Sequence, residues 1–287
     1  MSVLAFGSAK SSPGVTTSVL ALAARWPSSR EPLVVEADPS GGDLVSRLTS
    51  LDGQTGGLRD TPSTVQLAAS SRSGLSDRAL LEHLQRLPGP GEVRVLVGPS
   101  SPFAASTAIA ALAAARIGDL LTRLSAMDVL LDVGRVDAAS PTVPILRELG
   151  AVVLVARPNL GSVLHTRELV TSLRGVGVRS SLLIVGERPY SAAEVVDAIG
   201  AIALVGVLPD DPVGARALSG DAKNARVLGR TRLVRAAAEV AARLIPASGP
   251  VPAVPPPIPA PPPIAAPLPG SPASIGVIGS TPVQVSP

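Results

Sequence analysis

The chain has 287 residues, 46% of them hydrophobic and 16% charged, which is enough apolar material for one large core or two small ones. The absence of cysteine excludes disulfides and thiolate metal sites, and the two histidines, His83 and His165, lie too far apart in sequence to form a metal site by themselves. Net charge is only +3 despite a pI of about 10.1, because arginine carries nearly all the positive charge; with aromatics at 1%, neither charge nor base stacking implies nucleic-acid binding.

The first residues carry no basic segment, and the apolar start breaks at Gly7, so no signal peptide is expected. No apolar run approaches the ~20 residues that span a bilayer. The expected location is the cytoplasm, with no membrane span.

In chain order, short apolar runs bounded by Gly, Pro or Asp predict strands at Val3–Phe6, Leu33–Glu36, Val93–Val97, Val129–Leu131, Ala151–Ala156, Leu182–Val185 and Val205–Val207. Between them the pattern predicts helices at Thr16–Arg25, Asp77–Leu87, Ala104–Ser125, Leu160–Leu173, Ala192–Ile199 and Arg226–Leu244. The Gly-, Ser- and Thr-rich stretch 51–73 reads as a loop with one short helix near Val65–Ser70. Alternating strands and helices argue for an α/β fold, a mostly parallel sheet with helices on both faces. No internal repeat is present. Residues 246–287 contain no charged residue and 15 of the 30 prolines, so they read as a disordered or polyproline arm. The partition is one α/β domain over 1–245 and a Pro-rich tail over 246–287. The tail has two readings, an inert extension or a ligand for a proline-reading groove.

Residues 7–17 carry the most chemistry. A phosphate-binding loop runs G-x-x-x-x-G-K-[ST] between a strand and a helix. Here Gly14 and the pair Thr16 and Thr17 stand where the second glycine and the hydroxyls belong, but Val15 occupies the lysine position. The nearby lysine is Lys10. A helix N-terminus offers unpaired N–H groups and partial positive charge to a phosphate. Gly14 permits close backbone approach, and the Thr16 hydroxyl suits a magnesium ion held on phosphates. Two following strands end in acid: Glu36 and Asp38 after the second, and Asp132 after the run from Asp128. Ligands of open α/β sheets bind at these carboxyl ends, so Asp38 and Asp132 converge with the loop. Alone, each feature also reads blandly: a Gly/Ser turn, and strand-end acids satisfied by backbone N–H groups. Asp43 reads as a helix cap, both histidines as structural or solvated, and Trp26 as packing where its helix ends.

Lys10 through Thr17, then Glu36-Ala-Asp38-Pro-Ser-Gly, then Leu131-Asp132-Val-Gly, in that order, resemble the ParA/MinD family of P-loop ATPases, whose deviant loop reads K-G-G-x-G-K-[ST]-[ST]. Ala151–Pro158 and Gly206–Pro212 resemble later segments of that family, and the likeness spans roughly residues 1 to 245. It implies a P-loop NTPase fold of the SIMIBI type, ATP or ADP with Mg²⁺ as cofactors, and a homodimer. It implies roles residue by residue: Lys10 the signature lysine, which reaches the partner's nucleotide, and Asp38 the acid positioning water. Asp132 is then the Walker B acid, and Lys10, Asp38 and Asp132 are the catalytic set. Thr16, Asp38 and Asp132 are the magnesium set. Lys10, Ser11, Ser12, Gly14, Val15, Thr16 and Thr17 form the phosphate loop, with Pro209 and Asp211 beside the base.

Two departures stand out. Ser11 and Ser12 replace a glycine pair, and Val15 replaces the phosphate-contacting lysine. Losing one charge-stabilising group of this kind costs about two to three orders of magnitude in rate. The resemblance therefore implies a switch with weak or lost hydrolysis that positions DNA or a cellular machine. Partners implied are nonspecific DNA, a ParB-like protein, or a pilus or secretion assembly of the kind served by TadZ/CpaE-like members. The alternative is a non-catalytic adaptor, a pseudo-ATPase acting through its surface and Pro-rich tail. The last helix, with Arg226, Arg230, Arg232, Arg235 and Arg243 around an apolar stripe, reads as closing the domain, with DNA or membrane contact as alternatives.

Overall fold

The computed structural model describes residues 3–10, 13–27, 29–48, 57–87, 92–200, 202–220 and 228–245. Ser11, Ser12 and the Pro-rich segment from 246 lie outside these.

Eight strands form one sheet: β1 (Val3–Ser8), β2 (Glu31–Glu36), β3 (Gln85–Arg86), β4 (Arg94–Leu96), β5 (Met127–Arg135), β6 (Ala151–Ala156), β7 (Arg179–Val185) and β8 (Ala203–Leu208). Their spatial order is β3-β4-β2-β5-β1-β6-β7-β8. All neighbours run parallel except β3, which is antiparallel to β4. The helices are α1 (Val15–Ala23), α2 (Leu44–Leu48), α3 (Thr64–Ser70), α4 (Asp77–Glu82), α5 (Pro102–Ala114), α6 (Ile117–Arg123), α7 (Val143–Leu149), α8 (Leu160–Gly175), α9 (Ala192–Ile199), α10 (Pro212–Leu218) and α11 (Arg232–Leu244).

Side-chain alternation along the strands divides the core in two. Leu33 and Val35 of β2 and Val129 and Leu131 of β5 join Leu112, Leu121, Leu146 and Leu173 on one face, under α5 to α8. Val34 and Leu130 point the other way, to Leu20, Leu44, Leu218 and Val240 of α1, α2, α10 and α11. Helices thus cover both faces, as buried parallel strands require. The sheet reverses direction around β1, with β5 on one side and β6 on the other.

Several helix expectations change. The predicted helix 104–125 is two helices, α5 and α6, bent by 69°. Arg116 between them takes a left-handed conformation (φ 57°), held by ion pairs to Asp119 at 2.6 Å and Glu148 at 3.9 Å. Gly118 lets α6 meet α7 closely, since a Cβ there would lie 2.5 Å from the Glu148 carboxylate. The predicted helix 77–87 stops at Glu82, and Gln85 and Arg86 pair with β4 instead. The Gln85 amide donates to the carbonyls of Arg59 and Pro62 and accepts the Arg59 N–H, which pins the chain in extended form. The last helix starts at Arg232, not Arg226. Thr231 caps it through the Val234 N–H, and Leu228–Arg230 forms a 3-10 turn. Arg226 and Val227 lie outside the described residues. Among the described residues, no single helix is long and apolar enough to cross a membrane.

Candidate functional site

β1 delivers the chain to the carboxyl end of the sheet. Gly7 is required there, because a Cβ would sit 2.8 Å from the side chains of Val133 and Val136. Gly14 then turns with φ 100°, and α1 begins at Val15. The first helical bond is Ser18 N–H to the Gly14 carbonyl, 2.8 Å. Gly14 has no side chain to cap the helix, and among the described residues no other side chain is seen to do so. The Val15 side chain is buried in the core beneath α1, so the position that would carry the loop lysine contributes no charge.

Asp132 is buried and accepts the Gly134 N–H at 2.9 Å. Burial pushes its pKa up to about 6, opposed by the nearby Thr16 hydroxyl and the Gly134 N–H; the Asp38 charge adds to the rise and the Arg47 charge opposes it. Asp38 is half-buried, accepts the Ser40 N–H at 2.8 Å and lies against Gly134, where any Cβ would collide with its carboxylate. Burial raises its pKa too, opposed by Ser40 and assisted by Asp43. Neighbouring Glu36 looks similar in sequence but is employed differently. Its two oxygens accept the N–H groups of Asp43, Leu44 (2.9 Å) and Gly98 (2.9 Å), so it binds the loop after β2 to the end of β4.

Beside them lies a cavity of about 470 Å³ lined by Pro13, Gly14, Thr16, Thr17, Asp38, Asp43, Gly134 and three arginines, Arg47, Arg135 and Arg157; Asp132 is buried behind this lining. That volume suits a small-molecule ligand. Acids, arginines and a helix start around one cavity match a polyanion carrying a hard cation. Magnesium takes one or two carboxylates and completes its shell with phosphate and water. The oxygen set of Thr16, Asp38 and Asp132 fits that demand. Among the described residues no cluster of three or more acids or histidines would hold a metal without such help.

The structure therefore brings Gly14, Val15, Thr16, Thr17, Asp38 and Asp132 together. Lys10 is exposed and is not among the residues lining the cavity. Ser11 and Ser12 lie outside the described residues. Pro209 and Asp211 belong to a second region. A cavity of about 300 Å³ is lined there by Arg157, Asn159, Gly186, Arg188, Asp210 and Arg232. Arg157 faces both cavities and is held by Asp210 at 3.0 Å. The Asp211 carboxylate accepts the N–H groups of Val213 (3.1 Å), Gly214 (3.0 Å) and Leu233 (3.0 Å). Burial works against its charge, yet these N–H groups hold its pKa below the usual range. Asp211 thus ties the starts of α10 and α11 together. The other sequence readings place simply. His83 Nδ1 lies 2.6 Å from the Ala79 carbonyl, His165 is exposed, and Trp26 Nε1 donates to Asp128 at 3.1 Å.

The sequence reading missed Arg47, Arg135 and Arg157. Arg135 follows the Asp132 motif directly and carried a signal in its position. Arg47 is paired with Asp43 at i,i+4, visible only once α2 is recognised.

No protein-family model matches the chain, and no curated protein does. Solved structures do. A ParA family ATPase from Chlorobium tepidum matches with TM-score 0.66 and 16% identity, over 84% of this chain and 98% of that one. The septum site-determining protein MinD from Pyrococcus horikoshii, complexed with Mg-ADP, matches with TM-score 0.64 and 17% identity, over 85% and 96%. Cobyrinic acid a,c-diamide synthase from Mycobacterium smegmatis, with a bound ATP analog and magnesium, matches with TM-score 0.56 and 17% identity, over 84% and 93%. The fold is that of the ParA/MinD ATPases.

Proposed function

We propose that the chain is a ParA/MinD-like nucleotide-dependent switch that dimerises and positions DNA or a cellular machine, with weak or lost ATP hydrolysis. The observation that carries this reading is a cavity of polyphosphate size lined by Gly14, Thr16 and Thr17 at the start of α1 and by Asp38, with buried Asp132 behind it. Two structures of the same fold hold magnesium with ADP or an ATP analog. Here Thr16, Asp38 and Asp132 would hold the ion, which would neutralise phosphate charge. The N–H groups at Gly14 to Thr17 would hold the phosphates. The cavity at Asn159, Gly186 and Asp210 would take the base, with Pro209 and Asp211 flanking Asp210 in the chain.

Weak hydrolysis follows from Val15. A neutral, buried side chain supplies none of the charge that stabilises a transferring phosphoryl group. Lys10, exposed at the loop, is free of that burial and is the residue proposed to serve a partner copy. The same buried Val15 supports the second reading, a pseudo-ATPase adaptor that keeps the fold without using nucleotide.

Calorimetric titration with ATP and ADP, each with magnesium, tests both readings. The switch reading expects binding by the parent, loss in Asp132→Ala and Lys10→Ala, and turnover far below an ordinary P-loop ATPase. No binding at millimolar nucleotide supports the adaptor. DNA as cargo expects retention on DNA that weakens with salt and with Arg232→Ala, Arg235→Ala and Arg243→Ala, all exposed on α11.

A further inference from the structure

Three arginines line the phosphate-sized cavity, and they are not equivalent. Arg157 is paired with Asp210 and bridges toward the second cavity. Arg135 is exposed at the end of β5. Arg47 is half-buried and reaches back to the loop itself. Its Nη1 lies 3.4 Å from the Thr17 hydroxyl, and its Nη2 pairs with Asp43 at 2.9 Å. One guanidinium therefore lines the cavity while reaching the hydroxyl end of the loop.

We propose that Arg47 supplies, from α2, the positive charge on the bound polyphosphate that Val15 cannot supply from the loop. The inference rests on the phosphate-site reading above. Physical chemistry supports the exchange. A guanidinium has five donors in a planar fork, and the Thr17 and Asp43 contacts leave others for phosphate oxygens. Arg–phosphate contacts are charge-assisted and bidentate where geometry allows. The anchor of α2 is stiff. The N–H groups of Asp43 and Leu44 are held by buried Glu36, which fixes the base from which Arg47 extends. Arg47 thus belongs to a differently wired version of the loop, in which charge arrives from the segment after β2, 30 residues along the chain from Thr17. That segment also carries Asp38, so cation and acid would answer to the same loop.

Magnesium-ATP titration of the full chain against Arg47→Gln and Arg47→Lys tests the assignment, with unfolding followed without nucleotide. Arg47→Gln keeps the stem and hydrogen-bonding capacity and removes the charge. The expected result is a Kd about tenfold to a hundredfold weaker for Arg47→Gln, with Arg47→Lys between it and the parent. The weakening should shrink as salt rises. Unchanged affinity in Arg47→Gln, with the parent binding normally, overturns the role of Arg47 and leaves the site standing. Equal losses in Arg47→Gln and Arg47→Lys overturn it also, since shape rather than charge would then matter. A parent that binds no magnesium-ATP overturns the phosphate site and this inference together.

Discussion

The ends of β2 and β5 carry two buried carboxylates that look alike and are put to opposite uses. Glu36 and Asp132 are each about 2% exposed, they sit opposite each other in register, and burial raises both pKa values, to about 7 and about 6. Glu36 spends its oxygens on three backbone N–H groups and holds a loop in place. Asp132 accepts one backbone N–H, that of Gly134, and lies behind the lining of a cavity. Three N–H groups leave Glu36 no oxygen for a ligand, whereas one leaves Asp132 capacity to spare, which is what the proposed magnesium site requires. Gly98 and Gly42 crowd Glu36, whereas no glycine Cβ position is crowded by Asp132.

Glu36→Ala should produce the largest effect. It strands three buried N–H groups at about 1 kcal/mol each, so urea unfolding should show a loss of about 3 kcal/mol. Next comes pH. Both acids remain protonated in the folded chain over a range where they ionise in the unfolded one, so folding takes up protons there. Their contribution is complete below the ordinary values of 4.5 and 3.8 and is lost as pH rises through about 6 and about 7. Stability should fall across that window, and Glu36→Gln should flatten much of the slope. A smaller loss, about 1–2 kcal/mol, is expected for Gly42→Ala, whose Cβ would lie 2.5 Å from Glu36 Oε2 and 2.6 Å from the Gly98 carbonyl. Asp132→Asn should change stability least, within about 1 kcal/mol, because the cost of burying a charge disappears with the charge. Yet it should weaken magnesium-ATP binding at least tenfold by titration. If Asp132→Asn unfolds the chain while Glu36→Ala does not, the contrast between the two strand ends is wrong.

Strands were readable from the sequence because a buried parallel strand needs an unbroken apolar run, as in Ala151–Ala156. Local chemistry was readable for the same reason: Gly14, Thr16 and Thr17 lie within one turn, Asp38 follows β2 by two residues, and Asp132 lies in the last half of β5. Breaks that depend on distant partners were not. Between Ala104 and Ser125 the pair of Arg116 with Asp119 reads as ordinary i,i+3 helix spacing, and Glu148, the other partner at the turn, comes from another helix. Helices α2, α7 and α10, of five to seven residues, are too short to show a period. Arg47 went unseen for the same cause, since its contact with Thr17 spans 30 positions. Asp211 shows the converse limit: a motif matched by letters, whose oxygens the fold has given to two helix starts.

The sheet finishes on one side in β3, a strand of two residues that runs against its neighbour. An open rim of amides is a template on which further chains accumulate, and shortness blunts it. Arg86, exposed on that rim, adds a charge that a second backbone would have to approach. Strand-by-strand aggregation therefore finds little purchase at this margin, whereas at the opposite one β8 offers six residues and a part-exposed Leu204.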